Sequence, residues 1–204
     1  GSLELHETRA LVRQGEVETD TSTFEAQHLV TNPVSKWLSD HVSAGQRVGF
    51  DPWLHTLRQV RAIRKALQKQ EASLVSLASN PVDAVWGEQP PTPLSPVRIQ
   101  ELAHAGKSSQ EKRMELGSIL AERGAKAAVL SLPDSIAWLL NIRGADIPRT
   151  PFPLSFAILF ASGNVDLFID PRKLTSRVRE HFGEGVRLFK REELATQLPS
   201  GTKH

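Results

Sequence analysis

Histidine and carboxylate side chains build most metal sites and proton-transfer sites, and their spacing shows where such chemistry could lie. The seven histidines of this 204-residue chain are scattered singly, and none stands in an H-E-x-x-H or H-x-H arrangement. The chain has no D-x-D-x-D-G calcium loop and no cysteine, which excludes thiol nucleophiles and Cys-based zinc sites. The sequence therefore predicts no metal site, no cofactor site and no catalytic residue within the chain.

Nucleophile and phosphate motifs are also missing from the sequence. No G-x-S-x-G elbow occurs, and neither G-x-G-x-x-G nor G-x-x-x-x-G-K-[ST] is present. A basic stripe of Arg58, Arg61, Lys65 and Lys69 could meet phosphates, but this spacing is typical of the solvated face of a surface helix. Lys plus Arg number 25 against 23 Asp plus Glu, so the formal charge of +2 does not favour nucleic acid as a partner.

Three residues remain as candidates for a cleft or an interface: Trp86, Arg143 and Asp146. Trp86 immediately precedes a proline-rich segment, where a flat aromatic ring can pack against prolines or against a partner. Arg143 and Asp146 flank Gly144, and a local ion pair that shapes the loop is the favoured interpretation, with a cleft-lining role as the alternative. Trp138 lies in an apolar helix and is predicted to pack in the core.

The element pattern places these residues in two α/β regions with mixed β-sheets. Four of the 13 prolines fall within seven positions, at residues 90–96, which predicts a stiff, extended connector. We therefore predict a first domain over residues 1–88, a connector over 89–106 and a second domain over 107–204.

Before the connector, Arg47–Asp51 is predicted as a strand and Ala72–Ala78 as another. Pro52 is predicted to begin a helix that runs to about Gln70. Its apolar face is predicted to carry Leu54, Leu57, Ile63 and Leu67.

After the connector, Ser108 and Glu111 match a capping box, and Gly124 supplies the stop for a helix with Met114, Leu116, Ile119 and Leu120 as apolar residues. The apolar runs predict strands, two of them joined in a hairpin, over 127–131, 155–160, 165–170 and 186–189. Helices are predicted over 134–141, 175–182 and 192–198. The longest apolar runs are about a third of the roughly 20 residues that cross a bilayer, so we expect a soluble, cytoplasmic chain without membrane contact.

The segment Asp134–Pro148 contains the pattern I-A-W-L-x-N-x-R-G-x-D, which resembles the second-domain signature of long-form Xaa-Pro aminopeptidases, also called aminopeptidase P. The resemblance continues downstream through residues 151–157 and 167–170. Upstream it covers residues 47–52 and 80–86. From about Thr21 to Leu198 the similarity is nearly continuous, whereas residues 1–20 depart from the family pattern.

The resemblance implies an α/β fold of two creatinase N-terminal-like domains, both incomplete, with mixed sheets flanked by helices. Family members have a third domain of pita-bread fold with a dinuclear metal centre, usually manganese. They remove the N-terminal residue when proline is second, and they are typically dimers. Nothing in this sequence resembles the third domain, so no catalytic or metal-binding residue is transferred to it.

The sequence thus predicts the non-catalytic N-terminal portion of a metal-dependent Xaa-Pro aminopeptidase. The full-length enzyme is expected to act on peptides with proline at the second position, as a homodimer, while this portion alone is expected to be inactive. Its predicted role is to shape access to the active site and to supply subunit contacts. The alternatives are a non-enzymatic protein-binding module of the same domain family and an unrelated α/β protein that binds nucleic acid through its basic stripe.

Overall fold

The computed structural model describes Glu18, Asp20, Ser22 and residues 25–198. The chain divides into two compact units, Gly1–Gln89 and Pro90–His204. Most of the segment predicted to depart from the family pattern, residues 1–20, lies outside the described residues.

The first unit contains a two-stranded parallel sheet and three described helices. The elements in order are α1 (Val34–His41), β1 (Arg47–Phe50), α2 (Leu57–Gln68), β2 (Ser73–Ser76) and α3 (Pro81–Val85). Strands β1 and β2 pair in parallel, with Arg47 opposite Ser73 and Phe50 opposite Ser76. Both predicted strands are thus confirmed in slightly shorter form.

Helix α2 begins at Leu57, so the predicted start at Pro52 is wrong by five residues. The cause is a capping box at Thr56, whose hydroxyl accepts a hydrogen bond from the Gln59 N–H at 3.3 Å. The Gln59 side chain in turn accepts one from the Thr56 N–H at 2.8 Å.

The late start of α2 changes which side chains are buried. Leu54 lies before the helix and Leu57 is its first residue, and both are exposed, contrary to prediction. Ile63 and Leu67 are buried as predicted. With Ala72 they form the small core of the first unit, against which Leu38, Val42, Val48 and Leu74 are partly buried.

The second unit is built on a four-stranded mixed sheet. The elements are β3 (Arg98–Ile99), α4 (Leu102–Ala105), α5 (Ser109–Glu122), β4 (Ala127–Leu130), α6 (Pro133–Leu140), β5 (Ile142–Arg143), β6 (Phe156–Phe160), β7 (Val165–Phe168), α7 (Ser176–Phe182), β8 (Val186–Phe189) and α8 (Leu194–Gln197), with 3-10 turns at Pro171–Lys173 and Arg191–Glu193. The strand order of the four-stranded sheet is β4-β6-β7-β8, in which the first two pairings are antiparallel and the last is parallel. The predicted hairpin, strands and helices are present, which confirms an α/β protein with mixed sheets.

The predicted connector is not extended throughout. Within residues 89–106, β3 pairs with β5 and α4 forms a short helix. Val97 is buried in the core of the second unit, and its N–H donates to the Lys173 carbonyl at 2.9 Å. The later half of the connector therefore packs as part of the second unit, because its apolar residues complete that core.

Helix α5 has the predicted capping box, with Ser108 accepting from the Glu111 N–H at 3.2 Å, and Gly124 follows it with a φ of +68°. Of its predicted apolar residues, Leu116 and Leu120 pack against the core of the second unit. Met114 and Ile119 are exposed. Lys112 and Arg113 are also buried, where Lys112 Nζ donates to the Trp138 carbonyl and Arg113 Nη1 to the Gly163 carbonyl.

Among the described residues no helix is both long and apolar enough to cross a membrane.

Candidate functional site

Asn141 ends helix α6 and holds it to α5. It has a left-handed backbone, with φ 50° and ψ 51°, a conformation that asparagine tolerates better than most residues. Its buried amide donates to the Lys107 carbonyl at 2.8 Å and its Oδ1 accepts from Lys112 Nζ at 2.6 Å. The asparagine of the signature is therefore a helix cap and a structural link.

Gly144 lies against the chain at Phe152 and Pro153. A Cβ at this position would come within 2.5 Å of Pro153 N and 2.7 Å of its Cα. Because these are backbone atoms, they could not move aside without shifting the strand that follows. The glycine of the signature is therefore required for the close approach of two backbone segments.

Asp146 forms a buried ion pair with Lys173, so the predicted ion pair with Arg143 is wrong. Lys173 Nζ lies 2.6 Å from Asp146 Oδ2, and the two side chains are 1% and 0% exposed. The same oxygen accepts from the Leu154 N–H at 2.6 Å, while Oδ1 is buried and has no hydrogen-bond partner among the described residues. Asp146 was predicted to line a cleft or interface, but its carboxylate fixes the loop from inside.

Arg143 lies at a groove of about 530 Å³ on the second unit, which we call the Trp138 groove. It is half-buried, and its Nη1 donates to the Ile142 carbonyl at 2.8 Å. The groove is lined by Leu116, Leu130, Asp134, Trp138, Arg143 and Phe152, among others. An arginine and a tryptophan on an apolar floor are a typical composition for a contact surface.

Trp138 is 50% exposed, so its predicted place in the core is wrong. Lys112 explains its position, because Nζ lies 4.5 Å from the centre of the indole ring and donates to the Trp138 carbonyl at 3.0 Å. Burial lowers the pKa of Lys112, and the charge of Arg143 lowers that pKa further. Lys112 thus contacts the indole ring of Trp138, while the ring still lines the groove.

Trp86 lies in the first unit, where it follows helix α3. Its N–H donates to the Val82 carbonyl at 2.9 Å, and the residue is 49% exposed. The neighbouring Val82 and Val85 are exposed as well. Trp86 is therefore available for contact with a partner. It belongs to the first unit, whereas Arg143 belongs to the second.

The residues that the structure describes include no group of three or more His, Asp or Glu side chains that could hold a metal ion. Single histidines instead make local contacts, such as His181 Nε2 at 2.9 Å from the Leu140 carbonyl. These residues do not fit a dinuclear metal centre, so no step of a metal-dependent reaction is assigned to them.

The family model named Creatinase/Prolidase N-terminal domain matches residues 88–203, and the chain belongs to this family. A probable Xaa-Pro aminopeptidase P of Aspergillus niger is 40% identical over 152 residues, which are 74% of this chain and 25% of that protein. One of Coccidioides posadasii is 37% identical over 164 residues, or 80% of this chain and 25% of the relative.

A solved structure has the same fold. The crystal structure of X-prolyl aminopeptidase from Caenorhabditis elegans, described as a cytosolic enzyme with a di-nuclear active site, matches with a TM-score of 0.74 and 32% identity. The match covers 80% of this chain and 26% of that one. The chain thus spans about a quarter of the length of its relatives and is homologous to their N-terminal portion, which confirms the predicted family.

Sequence patterns missed the buried cations Lys112, Arg113 and Lys173. Lys112 and Arg113 lie on helix α5 and Lys173 lies in a 3-10 turn, and long-range hydrogen bonds accompany the burial of all three. Lys112 binds Asn141 and Lys173 binds Asp146, so two of these cations contact signature residues that are distant in sequence.

Proposed function

We propose that this chain is the non-catalytic N-terminal portion of a metal-dependent Xaa-Pro aminopeptidase. The observation that carries the proposal is that relatives with this name are up to 40% identical across 74% of the chain, which spans only a quarter of their length. The described residues supply no cluster of metal ligands. Peptide hydrolysis would then depend on a manganese centre that is held by residues outside this chain.

In this proposal the signature residues shape a surface and perform no chemistry. Asn141, Gly144 and Asp146 fix the segment between α6 and β6 through the contacts described above. That segment holds Arg143 and Phe152 beside Trp138, so the groove has a defined form before any partner arrives. We infer that the Trp138 groove and Trp86 limit access to the active site or form contacts within a homodimer.

We propose that residues 1–88 are part of a larger creatinase-like domain and that residues 107–204 are part of a second one. The small sheet of the first unit supports the first part of this proposal. Parallel sheets are normally covered on both faces and contain more than two strands. Here β1 and β2 form a parallel pair, and within the described residues neither strand has a further neighbour. Strands from outside the described chain would complete such a sheet.

Reading the native gene past the codon for His204 tests the assignment. We expect a downstream domain that supplies Asp, His and Glu metal ligands. We also expect the whole gene product to reside in the cytoplasm and, once purified, to contain about two manganese ions per chain. A reading frame that ends without such ligands would overturn the assignment and leave a non-enzymatic binding module of the same family.

The role of the groove is tested in the whole enzyme with Trp138→Ala and Arg143→Ala. We expect KM for longer Xaa-Pro peptides, or the Kd of the dimer, to rise by roughly fivefold or more, the scale of a lost contact residue. Ile119→Ala is the matched control, because Ile119 is an exposed apolar residue of the same unit outside the groove. Unchanged values of both constants would contradict the role.

A further inference from the structure

A second cavity of the second unit, of about 640 Å³, lies beside Arg113, and we call it the Arg113 cavity. Its wall comes from the start of α5, from the β6–β7 turn and from the loop that follows α7. The residues that matter to its chemistry are Ser109, Gln110, Arg113, Asn164, His181 and Gly185.

Arg113 is a buried cation without a carboxylate partner among the described residues. It is 7% exposed, and its Nη1 donates to the carbonyls of Gly163 at 2.9 Å and Gly185 at 3.0 Å. Its Nε is buried with no partner, and the guanidinium forms no other hydrogen bond in the described part of the chain. Burial lowers the pKa of Arg113. Two carbonyls thus leave much of a five-donor group unpaired.

Two glycines bring their carbonyl groups close to the guanidinium. Gly185 packs directly against it, because a Cβ at this position would overlap Arg113 Nη1 and lie 3.1 Å from Cζ. Gly163 has a φ of +79°, which a residue with a side chain adopts only under strain. Glycine at these two positions therefore allows both carbonyls to reach Arg113.

The N-terminus of helix α5 adds a second positive feature to the same cavity. Ser109 and Gln110 are the first two residues of this 14-residue helix, and both line the cavity. The N–H groups at these positions have no partner within a helix, and the helix dipole makes this end positive. The Ser108 side chain caps only the N–H of Glu111.

We propose that the Arg113 cavity binds a small oxyanion, of the phosphate class, between the Arg113 guanidinium and the first turn of α5. Phosphate oxygens match both the fork of a guanidinium and the free N–H groups of a helix start. Glu101 and Glu184 also line the cavity, and Glu101 lies 3.6 Å from Arg177. The charge of Arg177 offsets part of the negative charge of Glu101.

Titration of inorganic phosphate into the 204-residue protein, followed by backbone NMR at constant chloride, tests the proposal. We expect saturable shifts at Ser109, Gln110 and Gly185. Gln110→Glu adds a negative charge at the exposed first turn, where it favours the helix, and should weaken phosphate binding by about tenfold or more. Ser118→Glu is the control, since it adds the same charge to α5 outside the cavity and should change the affinity less than twofold.

Acetate extends the test to the class of anion. Acetate that competes with phosphate for the same residues supports a general oxyanion site, and acetate without effect supports a site for phosphate alone. Absence of saturable shifts with phosphate, or equal affinity in the protein with Gln110→Glu and in the control, would overturn the proposal. Because Arg113→Met could fail to fold, Gln110→Glu is the deciding variant.

Discussion

The two units of this chain differ sharply in how much core their described residues build. The second unit covers a four-stranded sheet with a continuous core that includes Ile136, Leu139, Leu140, Ala157 and Leu167. The first unit buries Ile63, Leu67 and Ala72 around two strands. Large apolar side chains of the first unit are meanwhile exposed, at Leu29, Val30, Leu54, Leu57 and Val85.

This difference predicts that the second unit is the more stable of the two, since the described residues of the first unit form only a small core. A parallel pair of strands with open edges buries too little apolar area to offset the entropy of ordering its backbone. We therefore expect hydrogen exchange to be faster throughout the first unit than in the sheet of the second.

The largest expected effect comes from the buried ion pair of the second unit. Lys173→Met leaves the Asp146 carboxylate buried and unpaired, which should lower the free energy of unfolding of that unit by roughly 3–5 kcal/mol. Urea unfolding followed by hydrogen exchange measures each unit separately. Lys107→Met is the control, because the Lys107–Glu115 pair is exposed and should contribute far less to stability. Equal effects of the two variants would contradict a decisive role for the buried pair.

Cavity variants test whether the two cores are independent. Leu139→Ala and Leu67→Ala each remove a fully buried side chain, and each should destabilise its own unit by about 2–5 kcal/mol. Exchange rates along a urea gradient should change only in the unit that carries the substitution. If Leu67→Ala also weakened the sheet of the second unit, the comparison between two units with separate cores would fail.

A glycine variant tests the close approach inside the signature. Gly144→Ala places a Cβ against the backbone of Pro153, and we expect a loss of about 1–3 kcal/mol in the urea unfolding of the second unit. Gly87→Ala is matched to it, because nothing lies within 4 Å of a Cβ at Gly87. A neutral Gly144→Ala would show that residues 152–153 are free to move away.

The smallest expected effect concerns Asp170. Hydrogen bonds from the Arg172 side chain and N–H lower the pKa of Asp170 from 3.8 to about 2. A lowered folded-state pKa stabilises the protein above the ordinary value, and the stabilisation disappears as the pH falls to about 2. Asp170→Asn should therefore lower the urea midpoint slightly at pH 7, and this difference should shrink between pH 4 and pH 2. A difference independent of pH would mean that the carboxylate charge has no part in it.

Local signals predicted the elements of both units well, and long-range polar contacts account for the errors. The Ser108 capping box and the β6–β7 hairpin follow from neighbours in sequence. The exposure of Trp138 could not be predicted, because the Lys112 beneath it comes from a different helix. The partner of Asp146 lies 27 residues away, whereas charge spacing favoured the nearby Arg143.

The helix start at Leu57 shows a different kind of error. Proline is frequent at the first position of a helix, which favoured a start at Pro52. The capping box of Thr56 and Gln59 instead sets the start of the helix at Leu57. Candidate site residues were harder to predict than elements. Trp86 is exposed and Arg143 is half-buried, whereas Asp146 is buried. The burial of Asp146 could not be predicted, because it depends on a charged partner that periodicity does not reveal.

An assay of Xaa-Pro peptide hydrolysis by the 204-residue chain and by the whole native protein, both with added manganese, tests the proposed assignment directly. We expect the whole protein to release the residue before proline and the chain alone to give only the background rate. Hydrolysis by the chain alone, at a rate lost on addition of a chelator, would contradict it.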